Sequence, residues 1–380
     1  MKNMRIVGGL ALIAALAMGP SLAAQTYSGV GPEYVGSDAC KQCHEAKWND
    51  HRVSGHPFKL HKRSEVDTWS VPLPSGYDWD DISYVIGGHS YKIRFMDLDG
   101  YIITESPTGE PGNNQYNIAT GEWVDYHAGE VGKPYDCGSC HTTGFSPEGN
   151  QDGLEGIHGT WQFEGIQCEE CHGAGGDHIN APSSANIILD DSAAACGACH
   201  VRGDPFTEIP AKGGYVKHHE QYNEFLASPH ADLSCGSCHD AHKKSEFSIT
   251  TQCVDCHEGY ADVKKAFKGL GKKHVDFGLG CKDCHMPYMG KSAVAFNKYQ
   301  GDVRSHLFDI STDKNDEPFT EDGSSATGVL TGEWVCLGCH ENFRNKFAAA
   351  DLKALAKGKP LKSVTWARKS LKKIHKPIKK

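Results

Sequence analysis

Cys40-Lys41-Gln42-Cys43-His44 decides how this chain is read, because its Cys-x-x-Cys-His pattern recurs seven more times. The other copies are Cys137–Cys140–His141, Cys168–Cys171–His172, Cys196–Cys199–His200, Cys235–Cys238–His239, Cys253–Cys256–His257, Cys281–Cys284–His285 and Cys336–Cys339–His340. Two thiols followed at once by an imidazole are what covalent attachment of c-type haem requires: both sulfurs bond the macrocycle edge, and the histidine turns onto the iron. Zinc knuckles pair C-x-x-C units but need no histidine after each one. A disulfide framework would not space every pair identically. The eight motifs use all sixteen cysteines, so none remains for a disulfide or a nucleophile. The expected cofactors are eight covalently attached haem c groups.

Eight irons with two axial ligands each need eight further donors. Outside the motifs stand fourteen histidines, whereas beyond residue 24 there are only three methionines, Met96, Met286 and Met289. Bis-histidine ligation is therefore expected, and with it mostly negative potentials. Context favours His56 (Ser-Gly-His), His178 shortly after the third motif, and His230 (Ser-Pro-His) before the fifth. It also favours His242 in Cys-His-Asp-Ala-His, His274 before Cys281, and His306 in Arg-Ser-His-Leu-Phe. One of the adjacent His218 and His219 makes a seventh, taken as His219, and His127 competes with His375 for the eighth, taken as His127. His51, His61, His89 and His158 are left as surface groups or neighbours of ligands.

The organisation follows from the motifs. Residues 1–24 read as a signal peptide: Lys2 and Arg5, the apolar run Ile6 to Met18, then small residues at Ser21, Ala23 and Ala24. Residues 25–70 form a first-haem segment and 71–135 a haem-free insert. There Tyr91, Ile93 and Phe95 alternate with Lys92 and Arg94 before the turn Asp97–Gly100, a β-hairpin signal. Residues 136–310 carry six motifs, 311–340 a polar loop and the eighth motif, and 341–380 a basic helix and tail. The expected fold is mainly α with much irregular loop wrapped around a chain of eight haems, plus one small β-hairpin near residues 84–104.

Charge is uneven. The net charge is −9, yet residues 341–380 hold thirteen Lys/Arg against two acids, so the body is strongly acidic. That steers basic partners and disfavours nucleic acid. No stretch after the signal is long enough to span a membrane. The expected location is outside the cytoplasm, periplasmic or at the cell surface. The expected partners are redox proteins or other copies of the chain, in an oligomer or a filament joined through the terminal haems at Cys40/Cys43 and Cys336/Cys339.

Several stretches resemble a known family of multihaem cytochromes c, which includes the tetrahaem cytochrome of ammonia oxidisers, hydroxylamine oxidoreductase and the octahaem tetrathionate reductases. Tyr34-Val-Gly-Ser-Asp-Ala-Cys40 to Ser54-Gly-His56 resembles its first haem segment, with His56 in the distal position. Cys137-Gly-Ser-Cys-His-Thr-Thr-Gly and Gly165-Ile-Gln-Cys-Glu-Glu-Cys-His-Gly resemble its central segments. Phe225-Leu-Ala-Ser-Pro-His230 with Cys238-His-Asp-Ala-His242, and Cys284-His-Met-Pro with Arg304-Ser-His306, resemble later ones. Catalytic members of that family replace one motif histidine with lysine, whereas all eight motifs here end in histidine. The resemblance thus implies an electron conduit first. It also leaves a reductase or oxidase of a small nitrogen or sulfur oxyanion, at one five-coordinate haem, as the alternative.

Overall fold

A computed structural model describes residues 33–66, 69–262, 272–313 and 315–340, and most of 350–371. The signal segment, His375 and the end of the basic tail lie outside the described residues.

Each motif forms one tight turn. In the fifth to eighth, the histidine N–H donates to the carbonyl of the first cysteine, as from His239 to Cys235 (2.9 Å) and from His340 to Cys336 (2.9 Å). Side chains at i, i+3 and i+4 of a helical turn share one face. Both thiols and the imidazole therefore point the same way. The first motif lies in a longer helix, Ser37–His51, which leaves helical geometry at His44 (φ −117°, ψ 39°).

The mainly α expectation is overturned. Residues 60–124 build a five-stranded antiparallel sheet in sequential order: β1 (Leu60–Lys62), β2 (Tyr84–Gly87), β3 (Lys92–Met96), β4 (Gln115–Asn117) and β5 (Glu122–Val124). Two smaller sheets add to it. β6 (Thr142–Thr143) pairs with β7 (Phe163–Glu164), and β8 (Ile209–Lys212) lies between β9 (Tyr215–Val216) and β10 (Ser325–Ala326). The hairpin near 84–104 is also re-paired. β3 runs against β2, with Val85 opposite Phe95, while the Asp97–Gly100 turn leads only to an isolated bridge, Met96 to Ile102. The physical reason is strand length. Strands of two to five residues are too short to show a period-2 pattern.

Both faces of the large sheet are buried. Val85, Ile93 and Phe95 pack with Val66, Ile82 and Ile103 on one face. Leu60, Tyr84, Ile86 and Met96 pack with Ile102, Tyr135, Ile157 and Trp161 on the other. A third cluster joins Ile209, Val216, Met289, Leu307, Leu330, Trp334 and Leu337 to Ala367 of the C-terminal helix Lys362–Leu371. Arg368 in that helix donates from Nε and Nη2 to the Glu333 carboxylate, at 3.0 and 2.8 Å, and both side chains are buried.

Candidate haem-binding cavity and histidine pairs

Between these clusters runs one connected cavity of about 4480 Å³, lined by the first seven motifs from Cys40 to His285. Ordinary ligand pockets are about 300–1,000 Å³, so this space has room for several macrocycles.

Six motif histidines face a second histidine across it, and a seventh, His340, faces His274 outside its lining. His44 lies 6.3 Å from His178, His141 6.3 Å from His219, His172 6.2 Å from His242 and His200 6.3 Å from His56, measured between ring centres. His239 lies 6.3 Å from His306, His257 6.0 Å from His230 and His340 5.7 Å from His274. Two imidazoles bound through nitrogen at about 2 Å on opposite sides of one metal ion hold their ring centres about 6.3 Å apart. The pairs fit a haem iron between them. The Nδ1 of His285 lies 2.7 Å from the Phe308 carbonyl.

The hydrogen bonds on the opposite side of several rings reinforce that fit. His172 Nδ1 lies 2.8 Å from Ile188 O, His178 Nδ1 3.1 Å from Ser183 O, and His242 Nδ1 2.8 Å from the Asp240 carboxylate. Such oxygens only accept, so Nδ1 carries the proton and Nε2 keeps a lone pair for a metal. Burial, reinforced by neighbouring cations, keeps several imidazoles neutral: it pulls His56, His141 and His219 down to about 3 and His306 to about 4. Neutral imidazole is the form that ligates. Partial burial pushes the Asp240 carboxyl up, but hydrogen bonds from His242 and Lys47 outweigh it and bring the group to about 2.

The remaining expected residues fall as follows. His127 has Nδ1 2.6 Å from Glu130 and its ring against Tyr126 (4.4 Å); no motif histidine pairs with it among the described residues. The His218 ring lies 4.0 Å from that of His219, tilted by 44°. His51 is buried, its ring 6.4 Å from His56. His61 packs on Trp69, His89 bonds Val53 O, and His158 is exposed.

Thiols of different motifs also come near one another. Cys40 and Cys168, Cys140 and Cys199, Cys196 and Cys235, and Cys253 and Cys281 are near enough to shift one another's ionisation. Cys171 neighbours Cys196, Cys238 neighbours Cys253, and Cys284 neighbours Cys336.

Sequence reasoning missed a group of cations. Lys92 and Arg94 alternate with the apolar residues of a strand, and with Lys59 and Arg202 they line the cavity beside the His141–His219 pair. Lys92 donates to Ser292 O (2.7 Å), and burial, then the nearby Arg94, lower its ammonium to about 7. The only sequence signal was the Arg94 and Lys92 alternation itself, which does not distinguish water from a cavity.

Comparisons agree with this site. A family model for cytochrome c554 and c-prime matches residues 114–173. The multiheme cytochrome MtrA of Shewanella baltica is 26% identical over 181 residues, 43% of this chain and 48% of MtrA. The dissimilatory sulfite reductase MccA of Wolinella succinogenes is 23% identical over 202 residues, 40% of this chain and 27% of MccA. The chain thus spans about half or less of the length of these curated relatives. In fold it is similar to the octaheme sulfite reductase MccA of Wolinella succinogenes, with TM-score 0.56 and 18% identity, over 80% of this chain and 65% of that one. It is also similar to the outer cell wall cytochrome OcwA, with TM-score 0.54 and 19% identity, over 89% and 95%. Repeated attachment motifs and these likenesses make the chain similar to multihaem cytochromes c, in which c-type haem is bound covalently.

Proposed function

We propose that the chain is an octahaem electron conduit whose irons are each held by two histidines. The observation that carries this reading is the set of seven imidazole pairs, six of them across the cavity. Bound haem supplies one-electron chemistry; the chain's residues fix where the groups lie and how readily each is reduced. The mutual shifts of the thiols support an order: motif one beside three, then four, five, six, seven and eight, with two joining at four. Cysteines this close hold neighbouring haem edges together, so electrons run from the Cys40 end to the Cys336 end without substrate reaching iron. His127 stays in this account as a polar group at the cavity wall, and its competitor His375 lies outside the described residues.

The reading includes export through the signal at residues 1–24, with docking onto redox proteins or other copies of the chain through the terminal haems. The fold likeness to an outer cell wall cytochrome supports it. Intact-mass measurement should find eight haems. The reduced protein should return all its electrons to a soluble one-electron acceptor while consuming neither sulfite nor nitrite. Catalytic consumption of either anion contradicts the conduit.

A second reading, reduction of a small sulfur or nitrogen oxyanion at the second motif, is favoured by one observation. Lys59, Lys92, Arg94 and Arg202 converge on the His141–His219 pair, where cations and a spare imidazole, His218, would bind an anion and deliver protons. The likeness to a sulfite reductase supports it. The same anion assay separates the two readings.

A further inference from the structure

Several ring nitrogens that back an axial imidazole here meet a neutral oxygen. The acceptors are the carbonyls of Ile188 for His172, Ser183 for His178 and Phe308 for His285, and the Gln221 amide for His200. His242 differs. Its Nδ1–H donates to the Asp240 carboxylate at 2.8 Å, and the His242 backbone N–H donates to the same oxygen at 3.1 Å. Asp240 directly follows the motif histidine His239, so one residue ties the fifth motif to the distal donor of the third. Its other oxygen accepts from Lys47 of the first-motif helix at 3.1 Å, with Lys243 at 3.9 Å.

We propose that Asp240 is a positioning residue that makes the haem held at Cys168 and Cys171, between His172 and His242, the lowest-potential member of the chain. A carboxylate behind an imidazole draws its N–H proton, raises the basicity of Nε2 and so stabilises the ferric state over the ferrous. A neutral carbonyl does this far less. Lys47 and Lys243 temper the effect by sharing the carboxylate. In the thiol order, this haem stands between the Cys40 end and the rest. Electrons entering at the first motif therefore meet an uphill step before the fourth, which biases flow from the interior toward the Cys336 end. The inference rests on the conduit reading and on His242 being a ligand.

Ring geometry makes this haem identifiable. The His172 and His242 planes are 11° apart and those of His44 and His178 23°, whereas the other five pairs are 36–88° apart. Near-parallel axial imidazoles give a resolved rhombic ferric EPR signal, and crossed ones a broad, highly anisotropic signal. An EPR-monitored redox titration of the full haem-loaded protein should show one rhombic component reduced at lower potential than every other. Asp240→Asn should keep its line shape but move it to higher potential, with the other components unmoved, and Asp240→Glu should return it toward wild type. Lys47→Met, at an exposed side chain, should shift the same component lower, and it reads the dyad even if Asp240→Asn misfolds. Unmoved titration in both Asp240→Asn and Lys47→Met overturns the proposal. His242→Ala should abolish that rhombic signal. If the signal survives His242→Ala, the ligand assignment itself is wrong, which is a separate failure from that of Asp240.

Discussion

The sheet-bearing insert and the motif-dense region obey different rules of stability. In residues 60–124, strands bury apolar side chains on both faces, and Leu60, Val85 and Phe95 are fully enclosed. Between Ile166 and Ile209, and again from 226 to 286, no apolar side chain is buried among the described residues. Those two stretches carry five of the eight motifs and face the cavity with cysteines and histidines. The insert is held by the hydrophobic effect in the ordinary way. The motif-dense stretches lack that term and depend on what they enclose. A protein can thus put a self-sufficient module beside one whose core is supplied by its cofactors.

The largest expected effect sets the two regions against each other. Chain produced without haem attachment should lose amide-exchange protection across 167–208 and 226–286 while β2 and β3 keep theirs. Equal loss in both regions breaks the comparison.

Next come single side chains inside conventional packing. Phe95→Ala should cost about 3–5 kcal/mol in chemical denaturation, with haem content and spectra unchanged. Glu333→Ala, which removes the two-point carboxylate from Arg368 while Glu317 stays 3.8 Å away, should cost about 1–3 kcal/mol, and should loosen the eighth-motif end first because Glu333 lies three residues before Cys336.

A smaller, graded effect is expected from pH. His56, His141, His219 and His306 are held well below the ordinary value of about 6.5. Between that value and about 3–4, the unfolded chain binds protons that the native one refuses, so stability falls as pH falls. Unfolding midpoints should drop from pH 7 to pH 4, with low-spin spectra lost before the far-ultraviolet signal of the insert. A midpoint that does not change over that range means these imidazoles are not neutral by burial.

What the sequence made legible follows the same division. The motifs are read at once, because covalent chemistry fixes residue type and spacing. Seven of the distal candidates, His56, His178, His219, His230, His242, His274 and His306, are each placed opposite a motif histidine, and their signal was a plain surplus of histidine. The sheets were largely illegible. Gln115–Asn117 and Glu122–Val124 are three residues each, and β8 pairs with β10 across more than a hundred residues, a pairing no local pattern encodes. Lys92 and Arg94 were missed for a related reason: alternation reports two environments, and the second was a cavity. Asp240 sat in plain view in Cys-His-Asp-Ala-His, yet only geometry shows which imidazole it backs.

The central claim is that these irons are capped on both sides. The most direct test is an EPR spectrum of the air-oxidised protein, repeated after adding sulfite, nitrite, hydroxylamine and cyanide. The account predicts low-spin ferric signals alone, unchanged by all four. A high-spin signal that one of them abolishes would reveal an open iron, contradict the conduit and move attention to the cations around His141.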